Sequence, residues 1–308
     1  MALLPSPLSP AAEAAAIADV LYELADARDR VEQEGLDVGT VPSRLVHVAH
    51  LPARDARYGE LARPLHPRVA ERVPERLWSH QTSAIDLART GRSVVVASGT
   101  ASGKSLCYQV PIAEASVAPI RPGTALVLFP TKALAHDQLR ALTALELPGV
   151  VAGAYDGDAS AEERTWIRKS ASVVLTNPEM LHAGLLPHHE RWATFLGRLS
   201  YVVVDELHSF RGVFGSHVAQ VLRRLRRLAN HHGADPTFIC TSATIGEPQR
   251  LAEAITGAET TPVTDDGSPR GPRTIALWQP PLVDAKAGTR ASAHRESAAV
   301  LAGLVDAG

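Results

Sequence analysis

The sequence predicts an α/β fold, a mostly parallel sheet covered by helices on both faces. Short apolar, β-branched runs recur along it, beginning with Ser93-Val-Val-Val-Ala97. Runs without polar alternation belong to strands buried on both sides, as parallel sheets require. From about residue 76 these runs alternate regularly with helical patterns, the order that builds βαβ units. The stretch Ser98-Gly-Thr-Ala-Ser-Gly-Lys-Ser105 directly follows the first run. A strand, a glycine-containing loop, Lys-Ser and then a helix is an arrangement that holds nucleotide phosphates.

Taken in order, residues 1–10 are rich in Pro and Ser, and 11–34 read as a helix with Ile17, Val20, Leu21, Leu24 and Val31 at near-helical spacing. Residues 35–75 read as irregular, so 1–75 form an N-terminal extension that is helical and then irregular. Strands are predicted at 93–97, 124–129, 150–154, 172–175, 200–204 and 237–241. Helices are predicted at 103–115 (bent by Pro111), 131–145, 160–169, 178–185, 190–197, 214–231 and 247–256. Residues 262–273 thin into Gly, Pro and Asp, and Thr274-Ile-Ala-Leu-Trp278 closes a domain spanning 76–278. Residues 279–308 read as a linker and then a helix over 296–306.

Composition bounds the answer without deciding it. The chain has 308 residues, 45% hydrophobic and 21% charged, with a formal net charge of −2. That suits a globular protein with a sizeable core. The absence of a global basic excess leaves room for a local basic groove. Cys107 and Cys240 both fall in predicted core elements; they read as reduced and buried, in a cytoplasmic protein. No secretory leader and no apolar stretch of membrane-spanning length is visible.

In the phosphate loop, backbone N–H groups would cradle phosphates, Lys104 would reach the β/γ-phosphates and the Ser105 hydroxyl would ligate Mg²⁺. The cofactor expected is therefore a Mg-bound nucleoside triphosphate, with Gly99, Thr100, Ala101, Ser102, Gly103, Lys104 and Ser105 around it. Ser98 stands where the general pattern has Gly or Ala, which is tolerable if its φ suits a non-glycine residue. Asp205-Glu206-Leu207-His208 follows the strand 200–204. Asp205 would hold Mg²⁺ and Glu206 would orient or deprotonate water, although Asp is also an ordinary helix cap. Ser242-Ala243-Thr244 follows 237–241 and would couple this acidic pair, with His208, to the substrate grip. Gln81 offers a donor and an acceptor together, which fits an adenine edge. Pro130-Thr131-Lys132 and Thr176-Asn177-Pro178 follow two further strands, and their hydroxyls and helix N-termini suit sequence-blind phosphodiester contacts. Helix capping explains each of these taken singly. Arg223, Arg224, Arg226 and Arg227 read as a solvated helix face. His188-His189 and His231-His232 lack cysteine partners at metal-ligand spacing.

Together the segments form an ordered set. They resemble the first RecA-like domain of a superfamily-two DEAD/DEAH-box helicase: glutamine motif (Gln81), motif I (Ser98–Ser105), Ia (Pro130 to Leu134), Ib (Thr176 to Pro178), II (Asp205 to His208) and III (Ser242 to Thr244). Gly99 to Tyr108, Tyr155-Asp-Gly-Asp158 and Asp205 to His217 further resemble the MrfA-type bacterial repair helicases, relatives of the fungal RecQ-four-like enzymes. The resemblance implies a RecA-like P-loop NTPase fold, ATP-dependent 3′-to-5′ translocation on single-stranded DNA, unwinding, and a role in DNA repair.

It also implies a second RecA-like domain carrying an arginine finger, and a cysteine-rich module. Glu296–Gly308 resembles the opening helix of that second domain, so the chain reads as the first part of such a motor. An arginine finger contributes about 10³–10⁵ in rate in related phosphoryl transfers. These residues alone are therefore expected to bind nucleotide weakly, hydrolyse it slowly and unwind nothing. An RNA helicase of the DEAD-box type is the alternative, against which Asp-Glu-Leu-His in place of Asp-Glu-Ala-Asp argues. A truncated, non-catalytic nucleic-acid-binding protein is another.

Overall fold

A computed structural model of the 308-residue chain describes residues 17–25, 44–284 and 286–306. The chain divides into two compact units, Ala56–Ser268 and the described parts of Met1–Asp55 with Pro269–Gly308. The first strand, β1 (Leu45–Leu51), belongs to the smaller unit.

In the larger unit a two-residue antiparallel pair, β2 (Tyr58–Gly59) and β3 (Leu77–Trp78), leads into the helix Ser79–Arg89. The main strands follow: β4 (Val94–Ala97), β5 (Thr124–Leu128), β6 (Ala152–Ala154), β7 (Val173–Thr176), β8 (Leu199–Val204), β9 (Thr237–Ser242) and β10 (Thr261–Val263). They form a seven-stranded, all-parallel sheet in the order β10-β4-β9-β8-β5-β7-β6. The doubly covered parallel sheet expected from the apolar runs is present.

Successive strand residues enter opposite cores, the period-two consequence of the pleat. Val95, Leu126, Leu128, Val202, Val204 and Cys240 join one core, with Trp192 and the helix Gly212–His231. Val94, Val96, Ala125, Val127, Val203 and Ile239 join the other, with the helices Ser79–Arg89, Leu106–Ser116 and Lys132–Ala144. The cysteines fall in different cores, and burial pushes both thiols up to about 12.

Register lines up the functional ends. Ala97 pairs with Ser242, Val204 with both Cys240 and Leu128, and Leu128 with Thr176. The loops that follow these residues share the carboxyl edge of the sheet, where ligands of open α/β sheets bind.

Three stretches differ from expectation. Thr261–Val263, at the start of the region read as thinning into loop, adds the edge strand β10 beside β4. Its Thr-Pro-Val is too short to register as periodic, and Pro is tolerated on an edge. Residues 178–197 are not two α-helices but one short α-turn, a π-helix (Leu181–Leu185), a 3₁₀ stretch (Leu186–Trp192) and an α-turn (Ala193–Gly197). Pro187 has no N–H to continue the helix, and the winding change seats Leu181, Leu185, Leu186 and Trp192 in the core. The helix Leu106–Ser116, by contrast, runs on through Pro111.

The third is Leu45–Leu51, read as irregular, which forms β1. It pairs antiparallel with β11 (Arg273–Trp278), more than 220 positions later. A pair β12 (Leu282–Asp284) and β13 (Thr289–Arg290) precedes the helix Ala293–Asp306. Leu21, Ala25, Leu45, Trp278, Val300 and Leu304 build the small core of this unit. Glu296 there accepts from Trp278 Nε1 at 3.1 Å and from Arg44 at 3.4 Å. Residues 17–25 are helical, and the rest of the helix predicted over 11–34 lies outside the described residues. No helix among the described residues is long and apolar enough to cross a membrane.

Candidate nucleotide and nucleic-acid site

The phosphate loop leaves β4, whose four residues are fully or almost fully buried, and bends into the helix Leu106–Ser116. Two of its residues take left-handed backbone, Ala101 (φ +59°) and Gly103 (φ +62°). A side chain at 103 would be strained by the positive φ and would bring a Cβ to 2.6 Å from Gln81 Nε2 and 3.0 Å from the Trp78 ring. Ser98 keeps an ordinary negative φ, and its buried hydroxyl pairs with Ser102 Oγ at 2.6 Å. Ser102 Oγ also donates to Gly99 O at 2.7 Å. The departure from Gly or Ala at 98 is thus built into the loop. Thr100 and Ala101 are exposed at its tip.

Lys104 Nζ donates to the carbonyls of Gly99 (2.7 Å) and Ser98 (3.2 Å), lying across the loop it is expected to serve. Ser105 Oγ donates to Gln138 Oε1 at 3.4 Å, as does the Tyr108 hydroxyl at 3.2 Å. Burial, with the nearby charge of Asp205 adding, pushes the Tyr108 phenol well above its ordinary range. Gln81 is buried; its Oε1 accepts from Trp78 N–H at 2.9 Å and its Nε2 donates to Gly103 O at 3.0 Å. One N–H and one lone-pair direction of the amide remain for a base edge.

Asp205 and Glu206 sit at the end of β8. Asp205 is buried, and Oδ1 accepts from the Thr241 hydroxyl and from Glu206 N–H (3.0 Å). Burial pushes its carboxyl up and the Glu206 charge adds to this, against the Thr241 hydroxyl, the Glu206 N–H and Lys104, which pull it down. Glu206 is itself left-handed (φ +53°, ψ +43°), a conformation unfavourable for a non-glycine residue. His208 Nδ1 lies 3.3 Å from Ala243 N–H, 3.5 Å from Ser242 Oγ and 3.3 Å from Glu206 Oε2. That one nitrogen serves Ala243 as an acceptor or Glu206 as a donor, never both at once. His208 and Ser242 are therefore brought together with Glu206, while Thr244 is exposed beyond them. The hydroxyl that touches Asp205 is Thr241, which inspection of the sequence passed over because it lies inside the strand.

The other two strand ends belong to the neighbouring strands β5 and β7. Thr131 Oγ1 caps its helix by accepting from Leu134 N–H at 3.4 Å, and Pro130 precedes it. Lys132 is exposed and pairs with Asp158 at 2.8 Å. Thr176 is buried, and its hydroxyl donates to Tyr155 O at 2.6 Å. Its side chain ties β7 to the loop after β6. Asn177 Oδ1 caps Met180 N–H at 2.8 Å with Pro178 in the first helical turn.

The Tyr155–Asp158 loop lies beside these ends. Asp156 is buried and accepts from Asp158 N–H (2.9 Å), Ala159 N–H (3.1 Å) and His136 Nε2 (2.8 Å). Burial alone would raise its carboxyl, but these hydrogen bonds, led by Asp158 N–H, hold it below the usual range.

Among the described residues no group of three or more His, Cys, Asp or Glu side chains is placed to hold a metal ion. The Ser105 hydroxyl and Asp205 carboxylate are hard oxygen donors and suit Mg²⁺, which completes its shell with phosphate oxygens and water. The histidine pairs read in the sequence as non-metal also meet: His189 Nδ1 and His232 Nε2 are 3.0 Å apart.

The profile of the family described as DEAD/DEAH box helicase matches residues 78–251. The chain is 43% identical over 245 residues to the uncharacterized ATP-dependent helicase YprA of Bacillus subtilis, covering 76% of this chain and 33% of that one. It is 40% identical over 272 residues to the ATP-dependent helicase HRQ1 of Saccharomyces cerevisiae, covering 85% of this chain and 25% of that one. The crystal structure of the DUF1998 helicase MrfA bound to DNA and AMPPNP superposes with a TM-score of 0.76 at 38% identity, covering 89% of this chain and 38% of that one. The chain thus spans a quarter to a third of the length of these curated relatives. The profile covers more than half of the 308 residues and takes in the glutamine, phosphate-loop, acidic and Ser-Ala-Thr motifs gathered at one sheet edge; the chain belongs to the DEAD/DEAH box helicase family.

Proposed function

We propose that these residues form the ATP-binding half of a DNA helicase motor that acts on single-stranded DNA in repair. The observation that carries the reading is the convergence of Lys104, Asp205, Glu206, Thr241 and Gln81 around one phosphate loop. The printed names of the relatives, ATP-dependent helicases and a helicase bound to DNA and AMPPNP, support it.

In this reading the N–H groups of the loop and the helix start bind the phosphates. Lys104 leaves the Ser98 and Gly99 carbonyls and takes phosphate oxygens instead. Ser105 and Asp205 hold Mg²⁺, which supplies charge neutralisation when bound. Glu206 accepts the proton of the attacking water, and His208 relays its position to Ser242 and the Ala243 backbone. Gln81 reads the adenine edge. Pro130, Thr131, Lys132, Asn177 and Pro178 face the strand backbone, with DNA ahead of RNA as the partner. The buried cysteines fit a reducing cytoplasm.

The test is ATP binding and hydrolysis by the 308-residue chain, with and without single-stranded DNA. Wild type is expected to bind Mg-ATP and turn it over slowly, and Lys104→Ala to lose binding. Equal ATP affinity in both proteins would end the nucleotide-site reading. Rapid DNA-stimulated turnover by these residues alone would show that no further arginine-bearing domain is needed.

A further inference from the structure

We propose that His80 and Asp266 are positioning residues that set the shape of the phosphate loop before nucleotide arrives, His80 from the helix Ser79–Arg89 and Asp266 from a short loop, Asp265 to Ser268, that follows β10 and holds both. The inference rests on the reading of residues 98–105 as a nucleotide site.

His80 is buried to 1% exposure, one residue before Gln81. Its Nδ1 lies 3.1 Å from the N–H of Gly267. A backbone N–H only donates, so Nδ1 is the acceptor and carries no proton. The proton of the neutral ring then sits on Nε2, which donates to Ser102 O at 2.9 Å. The tautomer follows from the backbone contact on the far side of the ring.

What this does to the loop follows from peptide planarity. In a trans peptide the C=O and the next N–H point in opposite directions. Drawing the Ser102 carbonyl toward His80 turns the Gly103 N–H away from it. Gln81 draws the Gly103 carbonyl in the same manner, at 3.0 Å, and so turns the Lys104 N–H. Two consecutive side chains on one helix thus fix two consecutive peptide planes. Successive N–H groups oriented together are what an anion nest consists of.

The same short loop grips the other end of the phosphate loop. Asp266 is 7% exposed; Oδ2 accepts from Gly99 N–H at 3.4 Å, while Oδ1 accepts from Ser268 N–H (2.9 Å) and Ser268 Oγ (2.6 Å). Arg57 donates to Asp266 O at 3.1 Å and pairs with Asp265. Gly267 has no room for a side chain, since a Cβ would lie 2.7 Å from Arg57 O. Asp266 therefore holds Gly99 and, through Gly267, His80 holds Ser102. A cradle fixed in advance costs less ordering when the anion binds.

The experiment measures binding of ATP, ADP and AMP to the 308-residue chain and to His80→Phe, His80→Gln, Asp266→Asn and Lys104→Ala, with thermal melts of each. His80→Phe fills the space without either hydrogen bond. It is expected to weaken ATP and ADP about tenfold or more and to leave AMP nearly unchanged, because the cradle serves the outer phosphates. His80→Gln restores most of the affinity, since its amide donates to Ser102 O and accepts from Gly267 N–H. Asp266→Asn keeps the shape but sets an N–H₂ against either Gly99 or Ser268 N–H, and is expected to weaken ATP in the same selective way. Wild-type ATP affinity in both His80→Phe and Asp266→Asn overturns the proposal, as does equal weakening of AMP and ATP, or a His80→Gln protein no better than His80→Phe. Insensitivity of ATP binding to Lys104→Ala overturns instead the nucleotide-site reading on which it stands.

Discussion

Asp205 and Asp156 are both buried carboxylates, and their surroundings push them in opposite directions. Asp205, raised chiefly by burial, binds its proton more tightly in the folded chain than the ordinary value of about 3.9. Its contribution to stability is favourable below that value and is lost as pH rises through the raised one. At pH 7 the carboxylate is therefore a burden on the fold, and Asp205→Asn is expected to raise the thermal midpoint there and less so near pH 4. Asp156 is lowered, its hydrogen bonds outweighing burial. Its contribution is fully present above the ordinary carboxylate range and is lost as pH falls through the lowered value. Asp156→Asn is expected to lower the midpoint at pH 7, the difference closing toward pH 3. Thermal melts across pH check both signs, and matching curves for the two variants would contradict them. The carboxylate proposed to hold Mg²⁺ is disfavoured in its charged form by its site, whereas the one that ties a loop is satisfied by it.

Helix ends account for much of what was legible at the level of elements. Ser160 opens the helix Ala161–Ser170 with a capping box: its Oγ accepts Glu163 N–H at 3.1 Å and its N–H donates to Glu163 Oε2 at 2.7 Å. Ser160→Ala is expected to cost about 1 kcal/mol in urea unfolding, and a change within ±0.3 kcal/mol would mean that the cap is replaced by water. Two of the four arginines read as a solvated face have other work. Arg223 donates to Ala254 O at 3.3 Å, and Arg226 donates to Gly257 O. They close the C-terminal carbonyls of the helix Pro248–Thr256, where positive charge is favoured. Periodicity placed those arginines on the correct helix but could not show the neighbouring helix end. The π- and 3₁₀-helical turns between residues 181 and 192 escaped for a related reason: Leu and His at those spacings fit an α-helix, and only packing around Pro187 selects the other windings.

For the whole molecule, the proposed strand surface is electrostatic. Lys132 is its exposed cation, held by Asp158 at the mouth of the Tyr155–Asp158 loop. Single-strand DNA binding is expected to weaken with salt, and each phosphate contact contributes about 0.7 to the slope of log affinity against log salt. Lys132→Ala is expected to lower that slope by about one contact's worth, and Asp158→Ala to strengthen binding at fixed salt by releasing the ammonium. Unchanged binding in both variants would remove Lys132 from the interface. The measurement is fluorescence anisotropy of a labelled oligonucleotide at several salt concentrations.

The sequence by itself determined the parallel sheet, the phosphate loop, the acidic pair and their common edge. Each of these is written locally, as a buried β-branched run followed within a few residues by the group it presents. Tertiary structure alone decided which hydroxyl meets Asp205, that Thr176 is buried, that Leu45–Leu51 is a strand, and that His80 and Asp266 reach the phosphate loop. Those contacts join segments tens to hundreds of positions apart, and Gly267 meets His80 across 187 residues. Such a pairing leaves no periodic trace in either segment, because its partner supplies the hydrogen bond only after the sheet has brought the two together.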